Sequence, residues 1–173
     1  MNSFIQVVRD ITLLLIRLGL GGIMIWHGLT RWILTTDGVP AYIDYLTQFG
    51  VPFPTYSAWG VTILELVGGV FLILGALTPL VAILALVQQV LTISYTNYWR
   101  GPDLVAADGS YAGGWEYNVV LGLLALVLLS FGPGRVAIDR LFRRPKSSEV
   151  ADDDPSPAGS DSGSTSMASA STW

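Results

Sequence analysis

Four apolar runs, at residues 11–34, 56–77, 79–98 and 115–131, are each long enough to cross the ~30 Å hydrocarbon core of a bilayer as a helix. Backbone in hydrocarbon must satisfy its own hydrogen bonds, so a chain built this way is confined to helices or a closed barrel, and runs of this length are helical. The sequence therefore predicts an all-α, polytopic membrane protein. A four-transmembrane-helix bundle is expected over residues 1–144. The first run exceeds the ~7–15 residues of a secretory h-region and no small-x-small cleavage site follows it, so it is expected to remain as the first helix. From 145 to 173, Ser, Asp, Gly and Pro dominate and almost nothing is apolar. Such a segment cannot bury a core and is expected to be a disordered cytoplasmic tail.

Positive charge gives an orientation. Arg135, Arg140, Arg143, Arg144 and Lys146 cluster after the fourth run, and Arg9 precedes the first. The longer connections, 31–55 and 99–114, hold Asp37, Asp44, Asp103 and Asp108 against Arg31 and Arg100 alone. The positive-inside rule then puts both termini in the cytoplasm, in a multi-pass protein of the inner (plasma) membrane. Trp26, Trp32, Trp59, Tyr95, Tyr98, Trp99 and Trp115 fall toward the opposite ends of the helices, where an aromatic belt is expected.

The chain has no cysteine, which excludes disulfides, thiol relays, Cys-ligated zinc and iron–sulfur clusters held by this chain alone. His27 is the only histidine, so a bis-histidine haem site is excluded too. The net charge of −4 equals the contribution of Asp152, Asp153, Asp154 and Asp161, and no nucleic-acid partner is expected. The four loop aspartates show no dense ligand spacing, and solvation is favoured over metal binding for them. Gly19, Gly21 and Gly22 neither follow a strand nor open a soluble helix, which rules out a dinucleotide fingerprint.

Glu65 lies inside the apolar run 55–77, one turn from Gly68 and Gly69. A carboxylate at that depth costs several kcal/mol unless paired or hydrated, so it marks a functional site and needs a partner. Helical spacing supplies candidates. Arg17, Gly21, Met24, Gly28 and Arg31 form one stripe with His27 at its border, and Glu65, Gly68, Gly69 and Leu72 form a second. Ala85, Gln88, Thr92 and Tyr95 form a third, and Asn118, Gly122 and Ala125 a fourth. Small residues mixed with polar ones suit helix–helix contact in lipid. Counted at 1.5 Å per residue, His27 and Gln88 lie ~10 Å deep and Glu65 ~14 Å, a single layer. Arg31 is expected above it, with Tyr95, Glu116, Tyr117 and Asn118 around the mouth. Arg17 is read either as an arginine reaching headgroups or as an inward partner of Glu65.

These residues carry a resemblance. Residues 15–28 (LIRLGLGGIMIWHG), 64–69 (LELVGG), 74–78 (LGALT), Glu116-Tyr117 and 132–139 (GPGRVAID), in that order, resemble the DoxX family of small four-helix membrane proteins. The family pattern usually ends in Ser-Leu-Asp where this chain has Ala137-Ile138-Asp139. The resemblance implies a link to quinones and sulfur redox, since some relatives look like the membrane subunit of a thiosulfate:quinone oxidoreductase. Fold follows from it more strongly than reaction does.

Two functions are compatible with these residues. In the first, the chain is a quinone-interacting redox accessory subunit of a membrane oxidoreductase complex. Glu65 and His27 exchange protons there, Gln88, Arg31, Tyr95, Asn118 and Glu116 surround the quinone, and protein partners deliver electrons. In the second, Glu65 is a structural ion pair and the chain is a non-catalytic membrane scaffold that recruits partners. A transporter ranks third, because four helices without inverted-repeat signs argue against it.

Overall fold

The computed structural model describes residues 3–110, 112–134 and 137–139, and the regular elements among them are helices. Helix α1 (Ser3–Leu29) runs into a π turn, Thr30–Leu34. α2 (Gly38–Gln48) follows, then α3 (Pro54–Ile63), a second π turn (Leu64–Gly68) and α4 (Gly69–Leu74), which together make one continuous rod. α5 (Thr78–Thr92) continues through a third π turn, Ile93–Asn97, and a 3-10 turn, Tyr98–Arg100. α6 (Glu116–Phe131) ends at Gly132. The four apolar runs are thus all helical. The tail at 145–173 and the basic cluster from Arg135 to Lys146 lie outside the described residues.

The rods Pro54–Leu74 and Thr78–Arg100 are long and apolar enough to cross a membrane, and about a third or less of each is buried inside the protein. Their outer faces are apolar: Ile63, Val67, Val70 and Leu74 on one, Leu80, Ile83, Leu84, Val87 and Val90 on the other, all exposed. A water-soluble fold rarely leaves such continuous apolar surface uncovered. The environment that covers it is lipid.

Helix contacts follow the small-residue stripes. A Cβ on Gly21 would stand 2.7 Å from the Gly69 carbonyl oxygen, and one on Gly69 would stand 2.8 Å from that of Gly21. Only hydrogen at both positions allows α1 and α4 to cross this closely. On the other side α5 packs on α6, with Ala82, Ala85, Leu121, Ala125 and Leu128 buried in a core shared with Leu13, Leu20, Met24 and Leu72. α1 also meets α6, and α4 meets α5, which closes the ring of helices.

The end near residues 75–78 is tied by Asp139. Its Oδ1 accepts the Leu77 amide at 2.6 Å and its Oδ2 the Thr78 amide at 2.9 Å, satisfying donors that the start of α5 leaves open. Leu77 takes a left-handed φ of 51°, a strained state for leucine that these bonds hold in place. Gly75 is left-handed as well, with φ 69°, and the Arg17 guanidinium occupies the space a side chain there would need. Arg17 is 1% exposed and sits in the field of Asp139. It therefore neither reaches headgroups in solvent nor pairs with Glu65. Arg135 and Arg143, which helical spacing from Asp139 would let pair with its carboxylate, lie outside the described residues.

The connection 31–55, expected to be a loop, contains α2. Val39, Tyr42, Ile43 and Leu46 recur at helical spacing, and Val39 and Leu46 bury with Ala58 of α3 in a second small core. The connection 101–114 is non-helical; in it the Ser110 hydroxyl and amide donate to Asp108 at 2.7 and 2.9 Å and hold that carboxyl below its ordinary range. Among the described residues no group of three or more His, Asp or Glu side chains is placed to hold a metal.

Candidate functional site

Each of the three π turns among the described residues carries polar side chains of one site. A π turn adds a residue to a helical repeat and rotates the next stretch of helix about its axis, and such turns gather at functional sites. Arg31 comes from the first, Glu65 from the second, and Tyr95, Thr96 and Asn97 from the third. They surround a cavity of about 340 Å³ at the end of the molecule away from Asp139. α2 covers it with Tyr42, Tyr45 and Leu46.

Glu65 is 5% exposed and fully engaged. Its Oε2 accepts a charge-assisted hydrogen bond from Arg31, and its Oε1 accepts from Gln88 Nε2 at 2.7 Å. The Arg31 guanidinium lies 4.1 Å from the centre of the Tyr42 ring, a cation–π contact that ties the covering helix to the ion pair. Burial pushes the Tyr42 phenol above its ordinary range, while Arg31 pulls it down.

A chain of amides lines another wall. Asn97 Nδ2 donates to Asn118 Oδ1 at 2.6 Å, Asn118 Nδ2 donates to Gln89 Oε1 at 2.8 Å, and Thr96 Oγ1 donates to Asn97 Oδ1 at 3.1 Å. These bonds join α5 to α6 beside the cavity. His27 Nε2 and the Tyr117 hydroxyl share a hydrogen bond of 3.0 Å whose direction depends on the tautomer, and this contact spans from α1 to α6.

Of the residues expected at the site, His27, Arg31, Glu65, Gln88, Tyr95 and Asn118 line the cavity together. Glu116 does not: it opens α6 on the exposed side and is absent from the lining. Within the layer His27 does not meet Glu65: its partner is Tyr117, and Arg31 takes the carboxylate. Gln89, Thr96, Asn97 and Tyr42 are additional members. For Gln89 and Thr96 the stripe Ala85, Gln89, Thr92, Thr96 fits helical spacing as well as Ala85, Gln88, Thr92, Tyr95 does, and the buried positions follow the former. Tyr42 belongs to the apolar pattern of α2.

The DoxX family model matches residues 12–98, just over half of the chain. The chain belongs to the DoxX family. The match takes in α1 through the third π turn, and so includes the Arg31–Glu65 pair and α2; the motifs at Glu116-Tyr117 and 132–139 of this DoxX protein lie beyond it. No curated protein and no solved structure matches the chain significantly. Family and apolar helices together make it a membrane protein.

Proposed function

We propose that this DoxX protein spans the plasma membrane four times with both termini cytoplasmic, and acts as a quinone-interacting redox accessory subunit of a membrane oxidoreductase complex. One observation carries the reading: aromatic and aliphatic side chains line a cavity onto which an ion pair, an imidazole, phenols and amides converge. Small-molecule sites combine a mostly apolar lining with a few placed polar groups in this way.

The residues fit a quinone ring. Arg31 has five N–H donors in a fixed fork, and the nitrogen bonded to Glu65 is only one part of it. Arg31 and Tyr117 would hold the ring oxygens, and Tyr45 and Leu46 would cover its faces. When bound, a quinone supplies two-electron, two-proton redox chemistry. Glu65 fixes the Arg31 fork, and Gln88 fixes Glu65. His27 shares a hydrogen bond with the Tyr117 hydroxyl, so the imidazole can exchange a proton with the phenol beside the ring. Electrons come from a partner subunit.

The scaffold reading keeps one specific support: both oxygens of Glu65 are already paired, as in a structural ion pair. Affinity purification of the full chain in mild detergent separates the two. The redox reading expects a redox-active partner and extractable quinone in the purified complex. Partners without either would favour the scaffold. Topology is tested separately in the cysteine-free background: a cysteine at Ala106 should react with an impermeant thiol reagent in intact cells, and one at Ser3 should not. The reverse pattern would invert the orientation.

A further inference from the structure

The ring of helices closes unevenly around the cavity. α1 crosses the second rod at the glycines, and above them Leu66 fills the space beside Gly28 at 2.7 Å from where a Cβ would stand. α5 is joined to α6 by the Asn118–Gln89 and Asn97–Asn118 bonds, and α1 to α6 by His27 and Tyr117. α5 and the second rod are different. They pack through α4 and the π turn Leu64–Gly68, and Gln88 reaches Glu65 at that level, but α3 beyond the π turn does not pack closely on α5. Val61 and Ser57 of α3 and Leu91 of α5 face the cavity across this seam. Leu91 is at once cavity lining and 51% exposed, and its neighbours Val87 and Val90 belong to the apolar outer surface.

We propose that the gap between α3 and α5 is a lateral portal through which the cavity is loaded from the bilayer, the ring of the ligand lying within and its apolar tail passing between Val61 and Leu91. This rests on the quinone reading and adds the substrate class: a ring carrying a long lipid tail. Size requires the tail to leave. A cavity of about 340 Å³ stands at the low end of the ~300–1,000 Å³ of small-molecule sites and has room for a head group. On the α2 side the cavity is bordered by the Arg31 guanidinium held on Tyr42, a charged and polar rim unsuited to an apolar chain. The seam is lined by valine and leucine, and it opens where the surrounding medium is lipid.

The test uses the full chain in detergent micelles, with two labelled probes measured by equilibrium binding: a long-chain isoprenoid benzoquinone and its tail-less methyl analogue. The double substitution Val61→Phe with Leu91→Phe narrows the seam. Val87→Phe with Leu84→Phe adds the same bulk at exposed positions outside the cavity lining and serves as the control. The portal predicts that the seam variant loses roughly tenfold or more in affinity for the tailed probe. Affinity for the tail-less probe stays near that of the wild type, and the control binds both normally. If the seam variant binds both probes as the wild type does, there is no portal here. Loss of both probes by a seam variant with wild-type Tm contradicts it too, because Val61 and Leu91 would then belong to the head-group pocket. If the wild type binds neither probe, the quinone reading itself fails and the portal falls with it.

Discussion

The two ends of this molecule use buried charge in opposite ways. At one end Arg17 fills the space over Gly75 beside Asp139, whose carboxylate also accepts the first amides of α5. That knot is filled with side chains, and its polar groups lock the turn before α5 to the segment after α6. At the other end Arg31 and Glu65 border a cavity, with the cation spread across a tyrosine of a separate covering helix. Both arginines lie on one helical stripe that runs from α1 into its π turn, fourteen positions apart in number and indistinguishable by residue type. What separates them is whether the space beside the charge is filled.

That contrast is most easily broken at the closed end. Asp139→Ala removes the carboxylate that accepts two amides, and should cost about 3–5 kcal/mol, the scale of two hydrogen bonds to a charged group at about 1.5–3 kcal/mol each. Reduced accumulation and a lower Tm of the solubilised protein would report it. Wild-type stability would mean that the knot is not structural.

Glu65→Gln should be milder on the fold. The Arg31 side chain is 17% exposed beside the cavity, so water can solvate what the carboxylate leaves, and about 1–3 kcal/mol is expected. Quinone-linked turnover of the assembled complex should nonetheless disappear, because the Arg31 fork loses its anchor. If the variant is lost from the membrane as completely as Asp139→Ala, Glu65 is a structural pair and the two ends are alike.

Smaller still is His27→Gln, which keeps a hydrogen-bonding group near Tyr117 and should change Tm by little. An imidazole can pass a proton on and a glutamine amide cannot. Partner association should survive, while turnover is removed. Full activity in this variant would take His27 out of the reaction.

Tyr42→Phe probes the roof with the least effect. Burial holds the Tyr42 proton more tightly in the folded protein than in the unfolded chain, so its contribution is present below about pH 10 and is lost as the pH rises beyond that value. The phenylalanine variant should match the wild type near neutrality and lose less stability in alkali.

Much of this contrast was legible in the residues. The stripes through Arg17, Gly21 and Gly28, through Glu65, Gly68 and Gly69, and through Asn118, Gly122 and Ala125 are buried as helical spacing requires. Periodicity reports which face is inward, and it did so for Glu65 and Arg31. It does not report which inward neighbours meet. Arg17 and Arg31 share a face, and only the crossing of α1 over α4 at Gly21 and Gly69 decides that Arg31 arrives at Glu65. Gln88 and Gln89 are consecutive, so spacing alone could not choose between them; Gln88 turns to Glu65 and Gln89 to Asn118. α2 was hidden for a different reason. Its Val39, Tyr42, Ile43 and Leu46 pattern covers fewer than three turns and is interrupted by Asp44, so the charge of the connection outweighed its period. The role of Asp139 is a contact across sixty residues, invisible to any local pattern.

Thermal unfolding of the solubilised full chain, with and without a short-chain quinone, tests the claim that one end binds while the other only holds. A ligand bound to the folded state alone adds about 2.7 kcal/mol of stability at a hundredfold excess over its Kd. Gly69→Ala, whose Cβ would meet Ile25 and the Gly21 carbonyl, should lower Tm but keep the full ligand-induced rise. Glu65→Gln should fold and show no rise. A wild type whose Tm ignores the quinone, or a Glu65→Gln variant that rises as far as the wild type, would contradict the account.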